Sequence, residues 1–241
     1  MPHQGVHSTR GPLLGEHTEG ILRRFAQLLF QLVVTGALLF LCAGSARWWP
    51  GWLYLGAFVV SIAGTAVWVL PRNPEVIVAR GKWHPDTARY EKVLLPIYTL
   101  CSGAIVVVGA LDARFGWAPL SPVWSFAGAL LMLASSVPVA AAMAVNRNLE
   151  PTMRIQRERG HQVATRGPYR VVRHPMYAAS LVQLPAIALT LGSRWALLPA
   201  LAGVACVVVR TALEDRALHA GLPGYEAYAQ RTRHRLIPGV W

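Results

Sequence analysis

Long stretches of the chain carry no charged side chain, and their lengths predict helices that cross a membrane. A helix needs about 20 apolar residues to span the hydrocarbon core, with a range of about 17–25. The uncharged runs are residues 25–46, 52–70, 93–111, 115–146, 174–193 and 195–209. The first four predict transmembrane helices within residues 21–145. The last two are separated only by the turn Gly192-Ser193-Arg194, which predicts a tight helical hairpin that either crosses the bilayer or only enters it. The predicted fold class is all-α, a polytopic integral membrane protein with about six membrane-embedded helices.

The polar segments divide the rest of the chain. Residues 1–20 are rich in Gly, His and Pro without periodicity, and we expect a disordered tail. Residues 146–176 form a long connector that is dense in Arg, His, Tyr, Gly and Pro, and loops of this length inside a compact protein are usually functional or disordered. With the hairpin and the C-terminal tail, the connector makes up a unit at residues 146–241. The tail is expected either to lie on the lipid surface or to fold back over the connector as a lid.

The net charge of +12 taken alone would suggest that the protein binds nucleic acid. The positions of the Lys and Arg residues along the chain favour a different explanation. Twenty of the 23 Lys and Arg lie in the tails and in two of the predicted loops, whereas Arg47, Arg114 and Arg194 lie in the other three loops. Basic residues accumulate on the cytoplasmic side of membrane proteins, so we expect a multi-pass protein with both termini cytoplasmic. The charge then reflects topology and contact with anionic membrane lipids, and nucleic acid is not an expected partner.

The three cysteines, Cys42, Cys101 and Cys206, all lie within uncharged runs. Free cysteines are among the most buried residue types and pack as small apolar side chains. Their spacing matches neither a disulfide framework nor a metal-ligand pattern. We therefore expect core residues here and predict no metal site.

The end of the connector concentrates side chains that could carry chemistry. Pro175 suits the first turn of a helix, where the missing N–H costs nothing, so His174 is placed at the N-cap. Free N–H groups at a helix start attract anions, and Arg170 and Arg173 would strengthen such a site. A basic anchor at the membrane interface explains the same residues equally well.

A second candidate pair stands at the end of the last apolar run. Arg210 and Glu214 are four residues apart, so they share a helix face and could form an ion pair. An exposed interfacial ion pair contributes little stability. Ionisable residues at the end of a membrane helix often mark a site instead, and both interpretations stay open on the sequence.

The order of these residues resembles the isoprenylcysteine carboxyl methyltransferase family, whose C-terminal pattern is shared by phospholipid N-methyltransferases. The resemblance covers about residues 146–241, and the earlier helices match only in kind. Its motif elements are Gln156, His161-Gln-Val-Ala, Gly167-Pro-Tyr169, Arg173-His-Pro-Met-Tyr177, Arg210, Glu214-Asp215, Leu218, Tyr225, Tyr228 and Leu236-Ile-Pro238. One departure is Leu222-Pro223-Gly224, which replaces a common Phe-Gly pair in a stretch one residue shorter than usual.

The resemblance implies a site for S-adenosyl-L-methionine built by the connector, the hairpin and the tail. Arg210 would bind the methyl acceptor, and Arg210 and Glu214 would be the catalytic pair. The residues implied to hold the cofactor are Gln156, His161, Gln162, Val163, Ala164, Tyr169, His174, Pro175, Met176, Tyr177 and Glu214. The expected activity is methyl transfer to a lipophilic small-molecule or lipid-modified acceptor, such as a prenylcysteine-like carboxylate.

Two other functions remain open. Membrane reductases of the sterol and steroid type share an Arg-His-Pro-x-Tyr element and use NADPH, but they typically continue Asn-Tyr-x-Gly-Glu, where this chain has Met176-Tyr177-Ala178-Ala179-Ser180. A non-enzymatic scaffold or a transporter is the other alternative. The spans contain almost no buried ionisable residues or broken helices of the kind that transport coupling uses.

Overall fold

The computed structural model describes residues 13–80, 87–156 and 160–241, with side chains from Thr18 onward. This part of the chain consists of helices and connecting turns. A short 3₁₀ helix, Gly167–Arg170, precedes α6. In chain order the α-helices are α1 Leu13–Ala43, α2 Trp49–Val69, α3 Pro74–Ala79, α4 Glu91–Phe115, α5 Pro122–Val145, α6 Pro175–Thr190, α7 Leu197–Gly221 and α8 Tyr225–Arg231.

Five of these helices are long and apolar enough to cross a membrane: α1 from Thr18 onward, α2, α4, α5 and α7. Helix α6 is apolar but has only 16 residues, at the short end for a span. It pairs with α7 as the predicted hairpin. The predicted all-α polytopic membrane fold is confirmed.

Several helices extend beyond the uncharged runs that predicted them. Helix α1 begins at Leu13, within the segment expected to be a tail, and α4 begins at Glu91. Helix α7 continues to Gly221, so Arg210 and Glu214 lie inside it rather than at its end. Charged residues end an apolar run without ending a helix when they face a protein interior. Residues 1–12 of the expected tail and 157–159 of the connector lie outside the described residues.

Helices α5 and α6 pack with almost no side chain between them at Gly128. A Cβ atom at this position would lie 2.5 Å from the Thr190 backbone nitrogen and 2.6 Å from the Ala186 carbonyl oxygen. Only glycine permits so close an approach, as small residues do generally between membrane helices. This contact holds the hairpin against α5.

A buried carboxylate ties the far end of α4 to the hairpin turn. Asp112 is 1% exposed and accepts hydrogen bonds from the Ser193 hydroxyl at 2.5 Å and the Ala118 N–H at 2.7 Å. The turn is further held by the Leu120 N–H, which donates to the Gly192 carbonyl at 2.7 Å. These contacts lie at the end of α4 opposite Glu91.

The C-terminal tail folds back against the connector. The backbone N–H groups of Arg173 and His174 donate to the carbonyls of His234 and Arg235, at 2.9 and 3.0 Å. The Tyr228 hydroxyl donates to the Tyr169 carbonyl at 2.8 Å. Of the two expectations for the tail, folding over the connector is the one found.

Candidate functional site

A cavity of about 390 Å³ opens where α5 ends and α6 begins. Its walls come from the end of α3, from α4 and α5, from the connector, from α6 and α7, and from the tail. It therefore brings together segments from both halves of the chain.

All but one of the residues that the sequence predicted for the site line this cavity. Gln156 is the exception. It is 1% exposed, its side-chain amide donates to the Asn148 carbonyl at 2.7 Å, and Asn148 donates back to it at 3.2 Å. Gln156 thus stabilises the conformation of the connector without lining the cavity. The lining residues are His161, Gln162, Val163, Ala164, Tyr169, His174, Pro175, Met176, Tyr177, Arg210 and Glu214.

The start of α6 presents Tyr177 and His174 to Glu214. His174 is the N-cap and Pro175 opens the helix, as the sequence predicted. The Tyr177 hydroxyl donates to Glu214 Oε2 at 2.5 Å, and His174 Nδ1 lies 3.7 Å from Glu214 Oε1. Burial alone would lower the pKa of His174, but its contacts with Asp215 and Glu214 outweigh burial, and the pKa is raised above its usual value.

Asp215 organises the other side of His174. This carboxylate is 1% exposed and lies 3.3 Å from His174 Nε2. Arg173 donates to both its oxygens, at 2.8 and 3.1 Å, and Arg235 and the Tyr225 hydroxyl donate at 2.7 and 2.9 Å. Arg173 was expected to strengthen an anion site at the helix start. Instead, it neutralises Asp215 and locks the tail onto α7.

Arg210 is paired with Glu91 rather than with Glu214. Its Nε donates to Glu91 Oε1 at 2.9 Å and its Nη2 donates to the Pro151 carbonyl at 2.6 Å. Its guanidinium carbon lies 5.1 Å from the centre of the Tyr177 ring. Within the part of the chain that the structure describes, Nη1 of Arg210 makes no hydrogen bond and Arg210 makes none to Glu214. The i,i+4 pair suggested by spacing is therefore replaced by a pair between α7 and α4.

Sequence reasoning gave no role to Glu91 or Asp215. Glu91 is fully buried, yet an acidic residue in the first turn of a helix is ordinary, because it complements the helix dipole. Asp215 follows Glu214 directly, and successive helical residues point about 100° apart, so the two carboxylates face different partners. Asp215 belongs to the Glu214-Asp215 motif element, and that element together with the basic tail was the available signal for its role.

The cavity also extends along apolar helix faces. Leu95 and Tyr98 of α4, Gln183 of α6 and Val207 of α7 line this part. Each lies one or more turns inside its helix. The site thus joins a polar end at Glu214 to a region within the membrane-embedded helices.

Comparison with known protein families finds a match to one segment of this chain. The family model of the phospholipid methyltransferases matches residues 123–221. This segment is similar to phospholipid methyltransferases along its whole matched length. That family is related to the isoprenylcysteine carboxyl methyltransferases, so the resemblance seen in the motifs is confirmed. No curated protein matches the chain significantly.

The matched segment comprises α5, the connector, α6 and α7. The similarity implies a membrane methyltransferase. The cavity nevertheless uses residues outside the matched segment. Arg80 precedes the matched segment, and Tyr225 and Tyr228 follow it.

Proposed function

We propose that this protein is a methyltransferase that uses S-adenosyl-L-methionine to methylate a lipophilic acceptor in the cavity between α4, α6 and α7. A prenylcysteine-like carboxylate is the first acceptor to test. The observation that carries the proposal is the two-ended cavity. Its polar end holds a fixed carboxylate beside His174, and its other end runs between membrane-embedded helices.

The residues of the polar end suit this cofactor. The volume of about 390 Å³ falls within the range of about 300–1,000 Å³ typical of small-molecule sites. Glu214 would bind the ammonium group, and Tyr169, Met176 and the run from His161 to Ala164 would enclose the rest. When bound, the cofactor supplies a methyl group activated by a positively charged sulfur.

Arg210 is held in one orientation before an acceptor arrives. Glu91 and the Pro151 carbonyl each bind one of its nitrogens, which leaves Nη1 to receive a carboxylate. A donor that needs no reorganisation contributes most when charge changes during the reaction. Arg210 would therefore orient the acceptor oxygen, an effect that can supply a large part of the rate enhancement.

The adjacent carboxylates of Glu214 and Asp215 would have different roles. Glu214 is fixed by Tyr177 and approached by His174, so its negative charge stays directed into the cavity. Asp215 does not line the cavity within the described residues, and it acts by anchoring Arg173, Arg235 and Tyr225. The apolar helix faces would exclude water and hold the lipophilic part of the acceptor.

The test is direct. The protein is purified in detergent and incubated with radiolabelled S-adenosyl-L-methionine and a lipid extract of the host, and the labelled product is identified by mass spectrometry. We expect label in a lipid or lipid-modified species. Tight binding of NADPH, with no response to S-adenosyl-L-methionine in calorimetry, would instead favour the reductase alternative.

A further inference from the structure

Arg80 lines the cavity but differs from the other arginines there. It stands at the C-cap of α3, ahead of the segment that matches the phospholipid methyltransferases. Within the described residues, its side chain makes one hydrogen-bond contact, a weak one from Nη1 to the Met176 sulfur at 3.8 Å. Met176 is itself a residue implied to hold the cofactor.

The other arginines of the described lining all have carboxylate partners. The pairs are Arg154 with Glu150 at 2.7 Å, Arg173 with Asp215 at 2.8 Å and Arg210 with Glu91 at 2.9 Å. Arg80 has no such partner in the part of the chain that the structure describes. Among the arginines that line the described part of the cavity, Arg80 is therefore the one whose charge no carboxylate balances.

The surroundings of Arg80 disfavour its charge. Burial lowers the pKa of Arg80 to about 10, and the positive charges of Arg24 and Arg210 act in the same direction. Taking a cation out of water without a partner is costly. Arg80 is half-buried, and a negatively charged group placed beside it would offset the cost of the burial it has.

We propose that Arg80 is an oxyanion-binding residue of the cavity and takes a carboxylate or phosphate of a bound ligand. The inference rests on the proposed function, since it concerns the ligands of that site. Two sources offer this chemistry: the carboxylate at the amino-acid end of the cofactor, and an anionic group on the lipophilic acceptor. The planar guanidinium suits both, because it can bind two oxygens at once.

Paired probes separate the two sources. S-adenosylhomocysteine carries the carboxylate and 5′-methylthioadenosine lacks the amino-acid end. N-acetyl-S-farnesylcysteine carries a carboxylate and its methyl ester does not. Affinities for all four are measured by calorimetry in detergent on the wild type, Arg80→Gln and Arg80→Lys. The exposed Arg72, which donates to the Trp68 carbonyl and does not line the cavity, provides the matched control Arg72→Gln.

Arg80→Gln should weaken one carboxylate probe by about 10- to 100-fold, as expected for a hydrogen-bonded charge pair. Its uncharged counterpart should bind as before. Loss with S-adenosylhomocysteine assigns Arg80 to the cofactor, and loss with the farnesylcysteine probe assigns it to the acceptor. Arg80→Lys keeps the charge and should lose about tenfold for the same probe.

The proposal is overturned if Arg80→Gln binds both carboxylate probes within about twofold of the wild type. It is equally overturned if charged and uncharged probes weaken together, because that pattern indicates general damage to the cavity. These measurements compare affinities, whereas the labelled-transfer experiment tests the proposed function on the wild type alone. The failure of one is therefore distinguishable from the failure of the other.

Discussion

Glu91 and Arg210 are 119 residues apart in the chain and form a buried pair at the site. Local spacing favoured Glu214 as the partner of Arg210, because residues four apart on a helix are neighbours. The tertiary fold brings in a carboxylate from α4, and Tyr177 takes up Glu214 instead. Local rules could place both residues on one face but could not choose between partners from distant segments.

Arg210 and Glu214 should have roles that mutations can separate. Glu214→Gln should weaken cofactor binding by about 10- to 100-fold, because a bond between a carboxylate and a cationic group contributes about 1.5–3 kcal/mol. Arg210→Lys should leave cofactor affinity nearly intact and reduce methyl transfer by about two orders of magnitude, since the planar fork is lost. Calorimetry and turnover distinguish these effects, with gel filtration as the check on folding. Normal turnover in both variants would mean that the pair is not catalytic.

Glu91 should act through Arg210. Glu91→Gln retains the side-chain volume but removes the charge that orients the guanidinium, so we expect turnover to fall by about tenfold or more. Cofactor affinity should stay within about twofold. The matched control is Glu226→Gln, an exposed acidic residue in the first turn of α8. A loss of thermal stability without loss of turnover would show that Glu91 is only a structural partner.

Protonation of His174 should make stability depend on pH. Its pKa is raised in the folded protein, whereas the unfolded value is about 6.5. The folded state holds the proton more tightly, so the stabilisation is fully present below about pH 6.5 and is lost as the pH rises through the folded-state pKa. Melting temperatures in detergent between about pH 6 and 9 should fall more steeply for the wild type than for His174→Gln. His234→Gln should retain the wild-type slope, and equal slopes in all three proteins would contradict the assignment.

At the scale of helices, the pattern of uncharged runs predicted the membrane-embedded elements well and their ends less well. Apolar length is a strong signal because the bilayer demands it. Apolar length did not predict the ends of α4 and α7, because Glu91, Arg210 and Glu214 are charged but face the protein interior and lie within helices. The site is located at these ends, which is why its composition was harder to predict than the fold.

The α5–α6 contact should be sensitive to a single methyl group. Gly128→Ala places a Cβ against the backbone of α6, and overpacking of this kind typically costs about 1–3 kcal/mol. Gly64→Ala, where nothing lies within 4 Å, should be neutral or stabilise α2, because alanine favours helix over glycine by about 1 kcal/mol. Melting temperatures of the two variants in detergent measure the difference. Equal melting temperatures would show that the two helices separate readily at Gly128.

For the whole molecule, the charge distribution predicts that both termini and the connector are cytoplasmic. In a chain without its native cysteines, Cys introduced at the exposed connector residue Arg166 should resist a membrane-impermeant thiol reagent in intact cells. Cys introduced at Ser45, in the turn between α1 and α2, should react. The reverse labelling pattern would invert the topology and place the polar end of the cavity outside the cell.

The assembly of the site could be predicted only in part. Motif residues within 161–177 and at positions 210 and 214 were placed together by the resemblance, and the structure gathers them around one cavity. Arg80 and Glu91 come from the first half of the chain, which matched the family only as hydrophobic helices. Their participation depends on how α3 and α4 pack, and no local pattern encodes that.

The two buried carboxylates of α4 set the depth at which the cavity meets the membrane. Glu91 bonds to Arg210 of α7 at one end and Asp112 bonds to Ser193 of the hairpin turn at the other. At 1.5 Å per helical residue, these anchors lie about 32 Å apart, close to the roughly 30 Å thickness of the hydrocarbon core. Helix α4 and the hairpin therefore form a frame of fixed length. In a bilayer of matching thickness, we expect this frame to hold Arg210 at the level of the lipid head groups, where a polar acceptor group on an apolar chain would itself reside.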